Sequence, residues 1–368
     1  MHIGIEASRA NRPVKTGVEW YAWHVIQQLK ALPGAAKHQW SLYSNSPLQG
    51  GLQSGPANWK ERRLSWPPRY LWTQARLSWE MRRRPSDVLF VPAHVLPVIS
   101  PKKSVVTVHD VGFKRFPEAY KKIQVAYHEI TTRDIVRRNA RIITVSEFCK
   151  REIVELYGAK PEHIFVTPLG LDHDRYRPQT VRPEKPYLLF VGRVDKKKNL
   201  ITLVRAFELV ADEFPHLELK IAGTFSGPAG LSTTGAKELM EAIQFSPYQD
   251  RIDMLGYVKE EEKPALLSGA SIYIQPSIYE GFGLPPLEAM ACGTPTICAD
   301  STCLPEVVGE GNALFFDPKD TEALASAMRR ILSEPTLRED LIQRGLARAK
   351  QFAWNRTAEE TLRILETW

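Results

Sequence analysis

The chain has 368 residues, 43% of them hydrophobic and 25% charged, with a net charge of +7 and four cysteines. That length exceeds what one core usually serves, so two domains are expected, and the composition excludes a disordered or fibrous chain. No run approaches the ~18 apolar residues of a membrane span, and the start MHIGIEAS lacks a basic region followed by an apolar core, so a cytoplasmic protein is expected. Positive charge favours an anionic partner without choosing among nucleic acid, anionic lipid and a phosphorylated small molecule. Cys149, Cys292, Cys298 and Cys303 form no Cys-x-x-Cys pair and have no zinc-finger spacing, so buried or free thiols are expected.

Taken in chain order, HIGIEA (2–7), WSLYS (40–44), DVLFVP (87–92), SVVTVHD (104–110), RIITVS (141–146) and HIFVTPLG (163–170) read as strands, with helices over 19–32 and 127–140. Between Trp59 and Pro85 the basic residues Lys60, Arg62, Arg63, Arg69, Arg76, Arg82, Arg83 and Arg84 face only Glu61 and Glu80, interleaved with Trp59, Trp66, Tyr70, Trp72 and Trp79. An anionic membrane surface attracts such a segment. The same residues also fit a surface helix with Trp72, Leu77 and Trp79 packed inward.

The stretch LDHDRYRPQTVRPEKP (171–186) is rich in proline and charge and reads as a linker, bounded at 173–186. Beyond it come YLLFVGR (187–193), LELKIAG (217–223), RIDMLGY (251–257), IYIQPS (272–277), PTICAD (295–300) and ALFFDP (313–318), again alternating with helical stretches. Short Val, Ile, Leu and Phe runs each followed by a helix imply parallel strands covered on both faces, hence two doubly wound α/β domains, 1–172 and 187–353. The terminal FAWNRTAEETLRILETW reads as an amphipathic helix.

Ligands of such sheets bind beyond the carboxyl ends of strands, so chemistry is sought there. After YLLFV comes GRVDKKKN, where Arg193 and Lys198 near a helix start can clamp a diphosphate; Lys196 and Lys197 read as a solvated turn. After IYIQPS comes YEGFGLPPLEAMAC, with Glu280 in the loop and Glu288 about one turn into a helix begun by Pro285 and Pro286. These acids are either an exposed acid plus one favoured by the helix dipole, or two groups aimed at one ligand. His109 ends SVVTVHD and can bond a substrate hydroxyl; a lone histidine is also commonly structural. Gly17 opens the first helix, a weak phosphate-loop signal without Gly-x-Gly-x-x-Gly. Asp172 and Asp174 have the spacing of a metal-binding pair but lie in the linker stretch, and no histidine pattern predicts zinc.

GRVDKKKN followed some eighty residues later by EGFGLPPLEAMACGTP resembles the retaining glycosyltransferases of family 4, as do VHD (108–110), SEFCKREI (146–153), VTPLGLD (166–172) and LPEVVGEGNALFFDP (304–318). The resemblance is weakest from about 45 to 85, and only one glycine stands at Gly17 where the family's loop often has two. It implies the GT-B fold, two Rossmann-like domains facing a deep cleft, with the last helix, 354–368, crossing back to the first domain. By residue, it implies Arg193 and Lys198 on the donor diphosphate and Glu280 on the donor sugar, with the backbone of Gly281, Phe282, Gly283 and Leu284 alongside. It further implies Glu288 on the ribose, Tyr257 and Val258 at the base, Gly17 on phosphate, and His109 near the reacting carbon. The implied activity is retaining, metal-independent and cofactor-free transfer of a hexosyl or mannosyl-type group from a nucleotide diphospho-sugar to a glycan or lipid-linked acceptor. Cell-surface polysaccharide or glycolipid assembly, on the inner face of the membrane, is the implied setting. A sugar-nucleotide epimerase of the same architecture is the alternative; nucleic acid is not an expected partner, because the candidate residues lie at four separate strand ends.

Overall fold

The computed structural model describes residues 1–68, 70–224 and 235–368, so Arg69 of the basic segment lies outside the described residues. Two compact units form: the first from residues 1–114, 122–170 and 353–368, the second from 115–121 and 171–352.

In the first unit the strands are β1 (His2–Glu6), β2 (Gln39–Ser44), β3 (Trp59–Arg63), β4 (Val88–Val91), β5 (Ser104–Thr107), β6 (Arg141–Thr144) and β7 (Ile164–Val166). They pair in parallel in the order β3-β2-β1-β4-β5-β6-β7. Val88, Leu89, Phe90 and Val91 are all buried, as a strand covered on both faces requires. The helices are α1 (Gly17–Ala31), α2 (Ser78–Arg83), α3 (Gly112–Arg115), α4 (Lys122–Arg137) and α5 (Glu147–Tyr157). The helix expected over 127–140 thus begins five residues earlier, at Lys122, and leaves Ile123, Tyr127 and Ile130 exposed along one stripe.

The basic segment corrects the surface-helix reading. Its first five residues are β3, a charged edge strand whose Trp59 stacks on Trp40 with ring centroids 4.4 Å apart. Trp72 and Leu77 are buried in a wide helical turn (Trp72–Leu77), where the Trp72 indole donates to the Leu64 carbonyl at 2.8 Å. Trp79 does not pack inward: it is 58% exposed, and Tyr70 and Leu71 of the same segment are exposed as well.

The C-terminal helix (Trp354–Glu366) packs with α1 in this first unit, where Tyr21 and Trp354 approach to 6.2 Å and the Thr357 hydroxyl donates to the Pro168 carbonyl at 2.8 Å. The chain passes so close that a Cβ on Gly170 would lie 2.2 Å from the Trp354 nitrogen, which only glycine permits.

The second unit holds β8 (Tyr187–Val191), β9 (Glu218–Ala222), β10 (Ile252–Gly256), β11 (Ile272–Gln275), β12 (Thr296–Ala299) and β13 (Leu314–Phe316), parallel in the order β10-β9-β8-β11-β12-β13. Around them lie α6 (Leu200–Val210), α7 (Ala236–Gln244), α8 (Lys263–Gly269), α9 (Leu284–Ala291), α10 (Leu304–Val308), α11 (Thr321–Ser333) and α12 (Pro335–Ala349). Residues 173–186, read as a linker, are held to this unit: the Tyr176 hydroxyl donates to Glu260 at 3.1 Å and the Gln179 N–H to Ser268 at 3.1 Å.

Candidate active site

Strand order reverses between β1 and β4 and again between β8 and β11. Loops leaving the carboxyl ends on either side of such a reversal diverge, and the opened space is where these sheets take ligands. In the second unit, Arg193 and Lys198 follow β8 and Glu280 follows β11.

The structure joins two of these residues directly. The Lys198 ammonium pairs with Glu280 Oε1 at 2.5 Å, both side chains largely withdrawn from water. The same oxygen accepts from the Gln275 amide at 2.7 Å and the Ser277 hydroxyl at 2.8 Å. Gln275, 1% exposed, is oriented in turn by the Tyr273 hydroxyl, which donates to its Oε1. Three donors saturate one oxygen of Glu280, so the carboxylate is fixed and its second oxygen is left for something else.

Arg193 is half-exposed and held by Asp195, whose Oδ2 accepts its Nε at 3.1 Å and Nη2 at 2.8 Å. Asp195 also caps the following turn by accepting the Lys197 N–H at 3.1 Å. Lys196 is exposed as expected, but Lys197 is not a solvated residue: it is 8% exposed, and its ammonium donates to the Tyr120 hydroxyl at 2.9 Å while facing that ring. A buried ammonium needs such partners, and Tyr120 belongs to the short stretch 115–121 counted with this unit.

Helix α9 starts where the two prolines imply, behind Gly283, whose left-handed φ of 90° suits glycine. Phe282 is buried with its ring against Phe352. Glu288 is buried on α9, and burial pushes its pKa up against the pull of Lys263. Its Oε2 has no hydrogen-bond partner among the described residues. Tyr257, 63% exposed, follows β10 with Val258. Asp172 is spent on its own turn, accepting the Arg175 N–H at 3.2 Å.

In the first unit, Gly17 is the first residue of α1 and a Cβ there would meet nothing within 4 Å, so the fold itself does not require glycine. Next to it Glu19 accepts from the Thr16 N–H at 3.2 Å and pairs with Arg9 at 3.3 Å and Arg12 at 3.1 Å. Burial opposes its charge, but the Thr16 bond and the two guanidiniums win and hold its pKa below the usual range. His109, after β5, packs edge-on against Tyr21 at 4.6 Å, with Nε2 3.4 Å from the Pro92 carbonyl. Burial lowers its pKa, so it is neutral near pH 7. His94 bonds Thr132 at 2.8 Å and lies 5.1 Å from His128.

Gln275 and Ser277 escaped the sequence reading, and Lys197 was misplaced in it as a solvated residue. The available signal for Gln275 was an amide at the end of the apolar run IYIQ, a position that demands a partner. Among the described residues no group of three or more His, Cys, Asp or Glu is arranged to hold a metal ion, and no helix is long and apolar enough to cross a membrane.

Two parallel sheets with this strand order, and a last helix returned to the first unit, define the GT-B glycosyltransferase architecture. Solved structures agree: sucrose-phosphate synthase from Thermosynechococcus elongatus superposes with a TM-score of 0.78 at 21% identity, covering 99% of this chain and 98% of that one. WaaG, a glycosyltransferase involved in lipopolysaccharide biosynthesis, gives 0.74 at 13% identity over the full length of both. Family models match along the chain, "Glycosyltransferase Family 4" over residues 16–175 and "Glycosyl transferases group 1" over 172–348. O-antigen chain mannosyltransferase B of Escherichia coli is 32% identical over 78% of this chain and 76% of its own length. Mannosylfructose-phosphate synthase of Agrobacterium fabrum is 30% identical over 58% of this chain, which spans only 50% of that protein. The chain belongs to the family 4 glycosyltransferases.

Proposed function

We propose that this enzyme transfers a hexose, mannose in the first instance, from a nucleotide diphospho-sugar to a glycan or lipid-linked acceptor with retention and without a metal. The observation that carries the reading is the Lys198–Glu280 pair at the reversal between β8 and β11. The similarity to an O-antigen mannosyltransferase supports the sugar class, and a nucleotide donor is supported by HepE of Anabaena, which shares the fold (TM-scores 0.72 and 0.71 at 16% and 17% identity) and whose structures hold UDP with glucose or UDP-glucose.

As the glycosidic bond breaks, negative charge grows on the departing diphosphate; Arg193 and Lys198 are the cations assigned to it. Glu280, with Oε1 saturated, holds the sugar hydroxyls through Oε2 and is not the nucleophile. The backbone of Gly281, Phe282, Gly283 and Leu284 lines the sugar, Glu288 takes the ribose through its unpartnered oxygen, and Tyr257 with Val258 flanks the base. In the first unit Gly17 leaves room for phosphate and neutral His109 bonds a sugar hydroxyl. The acceptor hydroxyl attacks from the face the diphosphate leaves, and the diphosphate takes its proton, so protons and charge balance without a protein base.

Calorimetry with UDP, GDP, ADP and their sugars, then transfer with a chelator present, tests this. Binding of one nucleotide family and an α-linked product from an α-linked donor, undiminished by EDTA, is expected. Sugar conversion without acceptor would instead identify an epimerase. We further assign the exposed Tyr70, Leu71, Trp79, Ile123 and Ile130, with Arg82, Arg83 and Arg84, to an anionic membrane surface. Phosphatidylglycerol vesicles should sediment the wild type and not a variant with those three arginines neutralised; equal sedimentation removes the membrane assignment.

A further inference from the structure

The loop between β11 and α9 is gripped from a neighbouring strand by three consecutive side chains that no motif marks. After β12, the Ser301 hydroxyl donates to the Ser277 carbonyl at 2.7 Å. Thr302 Oγ1 accepts the N–H of Glu280 at 3.2 Å. The Cys303 thiol donates to the carbonyls of Glu280 and Phe282, both at 3.2 Å. On its other side the loop is tied to the β8 turn, where the Ile278 N–H donates to the Lys197 carbonyl at 2.9 Å.

In extended chain successive side chains point to opposite faces, so three in a row cannot reach one loop. The turn at Thr302 breaks that alternation, with φ at 52° in the left-handed region. A β-branched residue there is a backbone outlier, and such outliers persist only where the surroundings over-determine them. Glycine would hold the same turn without strain but would give up Oγ1.

We propose that Thr302 is a positioning residue for the donor sugar: its hydroxyl fixes the backbone of Glu280, so that the carboxylate secured at Oε1 presents Oε2 at a set place and height. The inference rests on the reading of the Glu280 loop as the sugar site. Thr302 itself touches no substrate. Ser301 and Cys303 brace the same loop but leave the Glu280 N–H to Thr302 alone among the described residues.

The test compares wild type, Thr302→Gly and Thr302→Ser for unliganded Tm and for affinity toward GDP, GDP-mannose, UDP and UDP-glucose. The expected result is that Thr302→Gly melts at or above the wild-type temperature and binds the nucleoside diphosphate unchanged. Its gain in affinity from the attached sugar should fall about five- to tenfold, the worth of one hydrogen bond, and Thr302→Ser should restore most of it. An unchanged sugar gain in Thr302→Gly overturns the proposal. So does a lowered Tm with parallel loss of nucleotide and nucleotide-sugar binding, which marks a merely structural residue. If the wild type binds no nucleotide at all, the donor-site reading fails and this inference falls with it.

Discussion

The carboxyl ends of the two sheets are built on opposite electrostatic plans. In the second unit an ion pair largely withdrawn from water, Lys198 with Glu280, is embedded in a hydrogen-bonded chain through Gln275, Ser277 and Tyr273. In the first, burial lowers the pKa of His94, His109 and His128 against the pull of Asp110, and Glu19 there pairs with both Arg9 and Arg12. Fixed charge suits a site that holds a diphosphate and a polyhydroxylated sugar; neutral imidazoles can donate to or accept from hydroxyls without attracting a competing ion.

The largest effect should come from cutting the charged network. Glu280→Ala leaves Lys198, Gln275 and Ser277 without their shared acceptor and should lower kcat by about 10²- to 10³-fold, the range for removing one preorganised polar group. Initial-rate kinetics on a nucleotide sugar reads this, and a variant that keeps wild-type kcat would show the network to be structural. Next, Glu288→Ala should raise the donor KM about tenfold with kcat little changed, since ribose contacts are the same in ground and transition states. The reverse split between the two acids would undo their assigned roles.

The first unit is probed by acid. Burial pushes the pKa of His94 down to about 3 and lowers those of His109 and His128, whereas unfolded histidines titrate near 6.5. Below that pH the unfolded chain binds protons the folded chain refuses, so stability is lost as pH falls from about 6.5, by up to ~1.4 kcal/mol per pH unit for each such histidine. Melting curves from pH 7 to 5 should show this slope, and His94→Gln should flatten it. A slope unchanged in His94→Gln would mean the drop arises elsewhere.

The smallest effect distinguishes room left for a ligand from room left by chance. Gly17→Ala should keep Tm or raise it slightly, through the roughly 0.5 kcal/mol of stability that alanine adds in a helix, because no protein atom opposes the new methyl. Several-fold slower turnover is expected alongside; full activity would remove Gly17 from the site.

Strand ends, the α9 start and the general placement of Arg193, Lys198, His109 and Glu280 were legible because they depend on local rules: apolar runs of strand length, proline at a helix start, glycine where φ is positive. The basic segment was half legible. Alternation and charge mark 59–85 as amphipathic, but Trp59 joins an edge strand, Trp72 is buried and Trp79 is exposed, a partition that depends on which neighbours the segment meets.

By itself, then, the order of residues determined that the chain makes two parallel α/β sheets and that their carboxyl ends carry the cations, acids and histidine. Tertiary structure alone decided that Lys198 and Glu280, 82 positions apart, share one contact, that Lys197 turns inward to Tyr120, and that Thr302 adopts a left-handed turn to hold the Glu280 N–H. The physical reason is range. Burial patterns and capping are written in neighbouring residues, whereas the partner that satisfies a withdrawn charge or orients a carboxylate comes from whichever strand the sheet brings alongside, and β8 and β11 are adjacent in the sheet although β9 and β10 lie between them in the chain.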